Sequence, residues 1–149
     1  MSSTYVRDEI KTFLSANTTE KIVDLSGHFE EIQDLIKAYG VGPKDDWVGL
    51  LFVGSDEIPI TIGSNNTQGR YRETGVVEFH VVGLAKLGGS NSILLRADAL
   101  RSKLRGQRIG NIFVESVTPA NFGGGSALRF EGGYVSATFL ISYETDFNY

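Results

Sequence analysis

The chain has 149 residues, a formal net charge of −4, 41% hydrophobic residues and no cysteine. That is enough length for one domain with a real core, and three prolines with an average apolar content exclude a fibrous or disordered chain. The acidic balance argues against tight binding to nucleic acid through clustered cations, and the lack of thiols removes both a disulfide framework and a cysteine metal site.

The opening stretch MSSTYVRDEIK has neither a basic n-region nor an apolar h-region, so no secretion signal is expected. No apolar run approaches the roughly 20 residues that span a bilayer, and a soluble cytosolic chain is expected. Residues 4–16 read as a helix with Val6, Ile10, Phe13 and Leu14 on one face. A second helix is expected after Ser26 as N-cap, with Glu30 and Glu31 in its first turn. Its apolar stripe is Phe29, Ile32, Leu35, Ile36 and Tyr39, and Gly40 stops it.

Trp47–Val53, WVGLLFV, is apolar on both faces, as a central strand is. Gly54-Ser55-Asp56 then reads as a turn, and EIPITI as the returning strand of a hairpin, placed at an edge by Pro59. After the loop GSNNTQG comes a long strand, RYRETGVVEFHVVGL, in which Val77, Phe79 and Val81 oppose Glu78 and His80. Gly75 is the expected site of a bulge. GGSNSILLRADALRSKLRG is a helix with Ile93, Ala97, Leu100 and Leu104 at helical spacing, closed by Gly106. Ile112–Val117 is a strand, and a glycine-rich loop leads to a closing strand in which Val135, Ala137, Phe139, Ile141 and Tyr143 alternate with polar residues. The expectation is a single α+β domain over residues 1–149, its mainly antiparallel sheet carrying helices on one face, with long loops or arms.

Chemical motifs are sparse. The glycines of ANFGGGSALRFEGG lack the Gly-Lys pair and following helix of a phosphate loop. Ser126 lacks the second glycine of a nucleophile elbow. The two histidines, His28 and His80, cannot make a histidine-rich metal site. The Glu78–His80 pair reads as a polar, solvated or subunit-facing surface. Asp45-Asp46 and Asp56-Glu57 read as turn carboxylates. Arg101, Lys103, Arg105 and Arg108 read as a solvated helix end that complements the macrodipole. No catalytic residue, metal site or cofactor is expected, and the chain is expected not to be an enzyme. Its long loops are the feature a compact domain does not need.

The succession of elements resembles the tail terminator (tail completion) proteins of long-tailed bacteriophages. The stretches that carry the resemblance are WVGLLFV, RYRETGVVEFHVVGL, the amphipathic helix with its ADAL core, and the closing strand ATFLISYET. Together they cover residues 4 to 146. The resemblance implies a homo-oligomer, a hexameric ring stacked on the tail-tube protein, that halts tube growth and offers a surface to head and neck connector proteins. It implies a place at the tail–neck junction of the virion after synthesis in the host bacterial cytoplasm, no catalysis and no membrane, with DNA sliding through the ring without specific binding. Arg70, Tyr71, Arg72 and Phe122 are the expected ring or tube contacts, since Arg and aromatic residues dominate interface hot spots. Two other readings stay open: another ring protein of the phage neck, such as a head-closure or connector component, and a small ligand-binding or enzymatic α+β domain.

Overall fold

The computed structural model describes residues 3–26, 32–42, 45–59, 70–84, 89–122 and 134–148. The elements in chain order are α1 (Thr4–Asn17), β1 (Ile22–Asp24), α2 (Ile32–Ala38), β2 (Trp47–Pro59), β3 (Arg70–Leu84), α3 (Gly89–Leu104), β4 (Arg108–Ile109), β5 (Ile112–Val117), β6 (Asn121–Phe122) and β7 (Tyr134–Asn148). They form an α+β fold around one sheet of order β1-β2-β3-β7-β5-β4, with β6 also paired to β7. Only the β1–β2 pair is parallel, and the other pairs are antiparallel.

The sheet is long because β3 and β7 pair without interruption from Arg70↔Asn148 to Leu84↔Tyr134. Alternation sends Val77, Phe79 and Val81 to one face with Ala137, Phe139, Ile141 and Tyr143, all buried. Phe79 and Phe139 stack there with ring centroids 4.8 Å apart. α1 and α3 cover this face with Val6, Ile10 and Leu14 from one and Ile93, Ala97, Leu100 and Leu104 from the other. Burial of such stripes stabilises by about 1.5–3 kcal/mol per large side chain.

Polar groups fix the helices on the sheet. Ser3 caps α1 by accepting from the Val6 N–H, while its own N–H donates to the buried Glu73, which also accepts from the Tyr143 hydroxyl at 3.1 Å. Arg7 and Lys11 reach Asp24 at 2.8 and 2.9 Å. Burial alone would raise the Asp24 pKa, but the hydrogen bonds from Arg7, Lys11 and the Ser26 N–H outweigh it and hold the carboxyl below its ordinary range. On α3, Arg96 grips Glu20 through both oxygens, at 2.8 and 2.7 Å, and donates to the Val82 carbonyl. Gly40 and Gly106 stand just past helix ends with φ of 77° and 67°, the left-handed geometry that a side chain resists.

Among the described residues the opposite face is covered only in part. Val23, Leu25, Leu35, Val41, Trp47 and Val82 make a second, smaller cluster on it, and α2 joins the sheet there through Leu35.

Several expectations are corrected. β2 does not turn at Gly54-Ser55-Asp56: it runs on to Pro59, paired throughout with β3, so there is no hairpin at this point. The irregularity falls on β2, between Val53 and Ser55, directly opposite Gly75 rather than at it. Asp56 and Glu57 are therefore strand residues, not turn residues. Pro59 does end on an open flank, because β1 pairs only with Val48–Leu50. The helix start expected after Ser26 falls on residues 27–31, outside the described residues; the Ser26 hydroxyl accepts the Phe52 N–H. Tyr39, assigned to an apolar stripe, is 41% exposed. The short strand β1 was not expected at all. Asp45 is held as a turn acceptor, by the Gly42 N–H at 2.7 Å and by Lys21. Of the basic helix end, Arg101 bonds the Thr118 carbonyl and Asp98, and Lys103 bonds the Asn17 carbonyl. His28, Phe29, Glu30, Glu31, Ser126, the GSNNTQG loop and the glycines of 123–133 lie outside the described residues.

Candidate functional site

The expected contact residues separate into two places. Arg70, Tyr71 and Arg72 begin β3 at the end of the sheet far from α2, whereas Phe122 lies on β6 opposite Ala137. Arg72 is opposite Asp146, so nine residues of β7 separate the two places, about 30 Å at roughly 3.3 Å per residue. The four do not form one patch. Phe122 is 41% exposed, and Tyr71, opposite Pro59, lies on the face away from Arg72.

Arg72 is the centre of the distal group. Its Nε is 2.7 Å from Asp146 Oδ1 and its second amino group 3.1 Å from Oδ2, a bidentate pair across neighbouring strands. Glu144 lies 3.7 Å away, and Arg70 approaches Asp146 at 3.6 Å. The hydrogen bonds from Arg72 hold the Asp146 carboxyl below its usual range. Beside it, the Glu115 pKa is raised, first by a hydrogen bond shared with Glu144 and then by partial burial.

Register shows what the sequence pattern concealed. Val53, Ile58, Phe113 and Leu140 are 44%, 52%, 38% and 37% exposed. They stand opposite Val76, Arg72, Glu144 and Glu78 respectively, so all four project from the face that α1 and α3 do not cover. Half of the exposed large hydrophobic side chains among the described residues thus share one side of one sheet. Two shallow depressions mark this face. One, of about 370 Å³, is bounded by Arg70, Arg108, Asn111 and Phe113 with Glu144 and Asp146. The other, of about 460 Å³, is bounded by Val53, Asp56, Thr74, Val76, Glu115 and Ser142. The face carries exposed apolar side chains beside a cluster of ion-paired arginines and carboxylates.

His80 departs from the expected solvated surface. It is 1% exposed, between Gly49 and Thr138 on the neighbouring strands. Its Nδ1 is 3.4 Å from the Thr138 hydroxyl and its Nε2 3.1 Å from Glu78 Oε1. Burial pushes the imidazole down to about 4 and the Glu78 carboxyl up, so the ring is neutral at pH 7. Alternation put Glu78 and His80 on one face correctly, but only tertiary packing reveals that the second cluster closes over that part of it. Among the described residues no three histidine, cysteine or acidic side chains converge as a metal site needs, and no helix is long and apolar enough to cross a membrane.

No protein-family profile matches the chain, and no curated protein matches it. Among solved structures, one whose designation carries no functional meaning superposes with a TM-score of 0.52 at 16% identity. The match covers 99% of this chain and 97% of the other. At that identity the likeness is one of fold.

Proposed function

We propose that this chain is a structural assembly protein, a tail terminator of a long-tailed phage whose copies ring the end of the tail tube, stop its growth and present a surface to neck proteins. The observation that carries the reading is the sheet face left uncovered by the described residues, where Ile58 and Phe113 lie beside the Arg72–Asp146 cluster and Val53 and Leu140 continue the exposed apolar row. Apolar side chains held on rigid strands, with a satisfied arginine among them, are the ingredients of an association surface.

The sheet's open flank supports association through faces rather than edges. Beyond β1, β2 carries a bulge, two acidic residues at 56 and 57, and then Pro59, which has no N–H to offer. These are the devices by which proteins discourage strand addition at an edge. The net charge of −4 suits a ring through which DNA slides, because a basic lumen would retain it. Electron microscopy of tail tubes polymerised with and without the purified protein tests the proposal. Tubes capped at their ends and stopped at fixed length support it. Tubes that elongate past added protein reject it.

A further inference from the structure

The smaller hydrophobic cluster is built differently from the larger one. Val23, Leu25, Leu35 and Val41 all come from the single stretch of chain between α1 and β2, and they close over Trp47 and Val82 of the sheet. No buried member of the larger cluster comes from that stretch, and the partly buried Ile22 is its one contribution there. The described residues of the stretch are therefore a cover, and the helix-side core is complete without them. Three bonds hold the cover to β2. Leu25 N–H donates to the Leu50 carbonyl, Val48 N–H to the Lys21 carbonyl, and Phe52 N–H to the Ser26 hydroxyl. Contiguous units of this kind open while the rest of a protein stays folded.

Beside the cover lies a group that acid can charge. His80 is buried between Gly49 and Thr138. Leu25 and the Trp47 ring lean over Gly49, which has no side chain to keep them off. Among the described residues, β2 and β7 place Gly49 and Thr138 beside the imidazole, neither of them charged. α2 carries Asp34 and Lys37, both exposed, and Lys21 pairs with Asp45 at the surface. Glu78, on the same face of β3, is the carboxyl in contact, 3.1 Å from Nε2.

We propose that β1, α2 and their connections form an acid-released cover, which lifts from the proximal half of the sheet face when His80 is protonated while the helix-side core stays closed. Opening lengthens the uncovered side of β2 from Val53 back to Trp47. With the cover closed, burial pushes the imidazole down to about 4 from an ordinary 6.5. With the cover open, the ring regains its ordinary value. Its protonation alone then raises the opening constant about 20-fold between pH 7 and pH 5. Burial raises the Glu78 carboxyl, so there acid favours the closed state and trims the rise to roughly tenfold. Asp24 and Asp45 lie below their ordinary value and titrate beneath this interval.

Native-state hydrogen exchange on the intact chain tests this, with protection factors taken at pH 7 and pH 5. The amides of Leu25, Val48 and Phe52 report the cover, and those of the β3–β7 ladder report the whole fold. The cover amides are expected to be less protected than the ladder at both pH values and to respond more weakly to denaturant. At pH 5 they lose roughly tenfold in protection. H80Q removes that loss, whereas H28Q, at the other histidine of the chain, leaves it in place. Cover amides that match the ladder in protection and denaturant response open only with the whole molecule. That result overturns the proposal even if H80Q fails to fold. Protection that stays constant from pH 7 to pH 5 overturns it too. A loss that persists in H80Q, or vanishes in H28Q, gives the release to another group and overturns it as well.

Discussion

Trp47 and Ile58 project from the same side of the same strand, yet the first is 1% exposed and the second 52%. The two halves of this sheet face share β2, β3 and β7 and differ only in what lies over them. At the proximal end, β1, α2 and Val41 cover Trp47 and Val82 with apolar side chains. At the distal end nothing among the described residues covers Val53, Ile58, Phe113 or Leu140. One half is core, and the other is a surface with core-like residues on it. Burial at the proximal end holds the fold together, whereas at the distal end the same strands carry apolar side chains with no described neighbour over them.

The sharpest way to break this comparison is to truncate the proximal side. Trp47→Ala removes a side chain packed among Val23, Leu25 and Val82, and is expected to cost about 3–5 kcal/mol in chemical denaturation. A loss below about 1 kcal/mol means that the second cluster is not a packed core.

Acid provides a second test at the same end. His80 has a folded pKa of about 4 against an ordinary 6.5. Above pH 6.5 neither state is protonated and its contribution to stability is complete. As the pH falls towards 4, the unfolded chain takes up a proton that the folded chain refuses, so stability declines. The expected loss is about 2 kcal/mol between pH 7 and about pH 5, at about 1.4 kcal/mol per pH unit below the unfolded pKa. His80→Gln removes this component, and a variant with an unaltered slope over that interval shows that another group is responsible.

Gly49 probes how tightly the proximal half is closed. A Cβ there comes within 2.6 Å of Leu25 Cδ1 and 2.9 Å of the Trp47 ring. Gly49→Ala is expected to cost about 1–2 kcal/mol, the penalty of an overfilled core, read as a lower denaturation midpoint with unchanged slope. A neutral result means that Leu25 can swing aside and that the cover is loose.

Local pattern made the long elements legible. α1, α3, β3, β5 and β7 lie where periodicity puts them, because each has enough residues for its apolar repeat to be read. β2 was misread for a physical reason. Gly54, Ser55 and Asp56 have turn chemistry, but continuous pairing to the fifteen residues of β3 overrides it and turns the irregularity into a bulge. β1 has three residues, too few for any period, and exists because β2 offers it a parallel edge. The candidate surface was half visible. Residue type points to Arg70 and Arg72, but Val53, Ile58, Phe113 and Leu140 come from three strands far apart in sequence, and only the register unites them. Ile58 in particular joins Val53 only because the strand runs on through Gly54-Ser55-Asp56, residues with turn chemistry.

The smallest expected effect is the most discriminating. Ile58→Ala and Phe113→Ala remove large apolar side chains, as Trp47→Ala does, but from positions 52% and 38% exposed. Solvent already reaches these groups, so truncation leaves no cavity and little transfer free energy is lost. Each is expected to change monomer stability by no more than about 0.5 kcal/mol. If the proposed terminator reading holds, assembly on tube ends weakens all the same, because the lost area then lies in the contact and not in the fold. Stability and assembly measured on the same variants therefore separate the two halves. If Ile58→Ala destabilises the free chain as much as Gly49→Ala does, the distal half already serves the monomer's core and is not available to a neighbour.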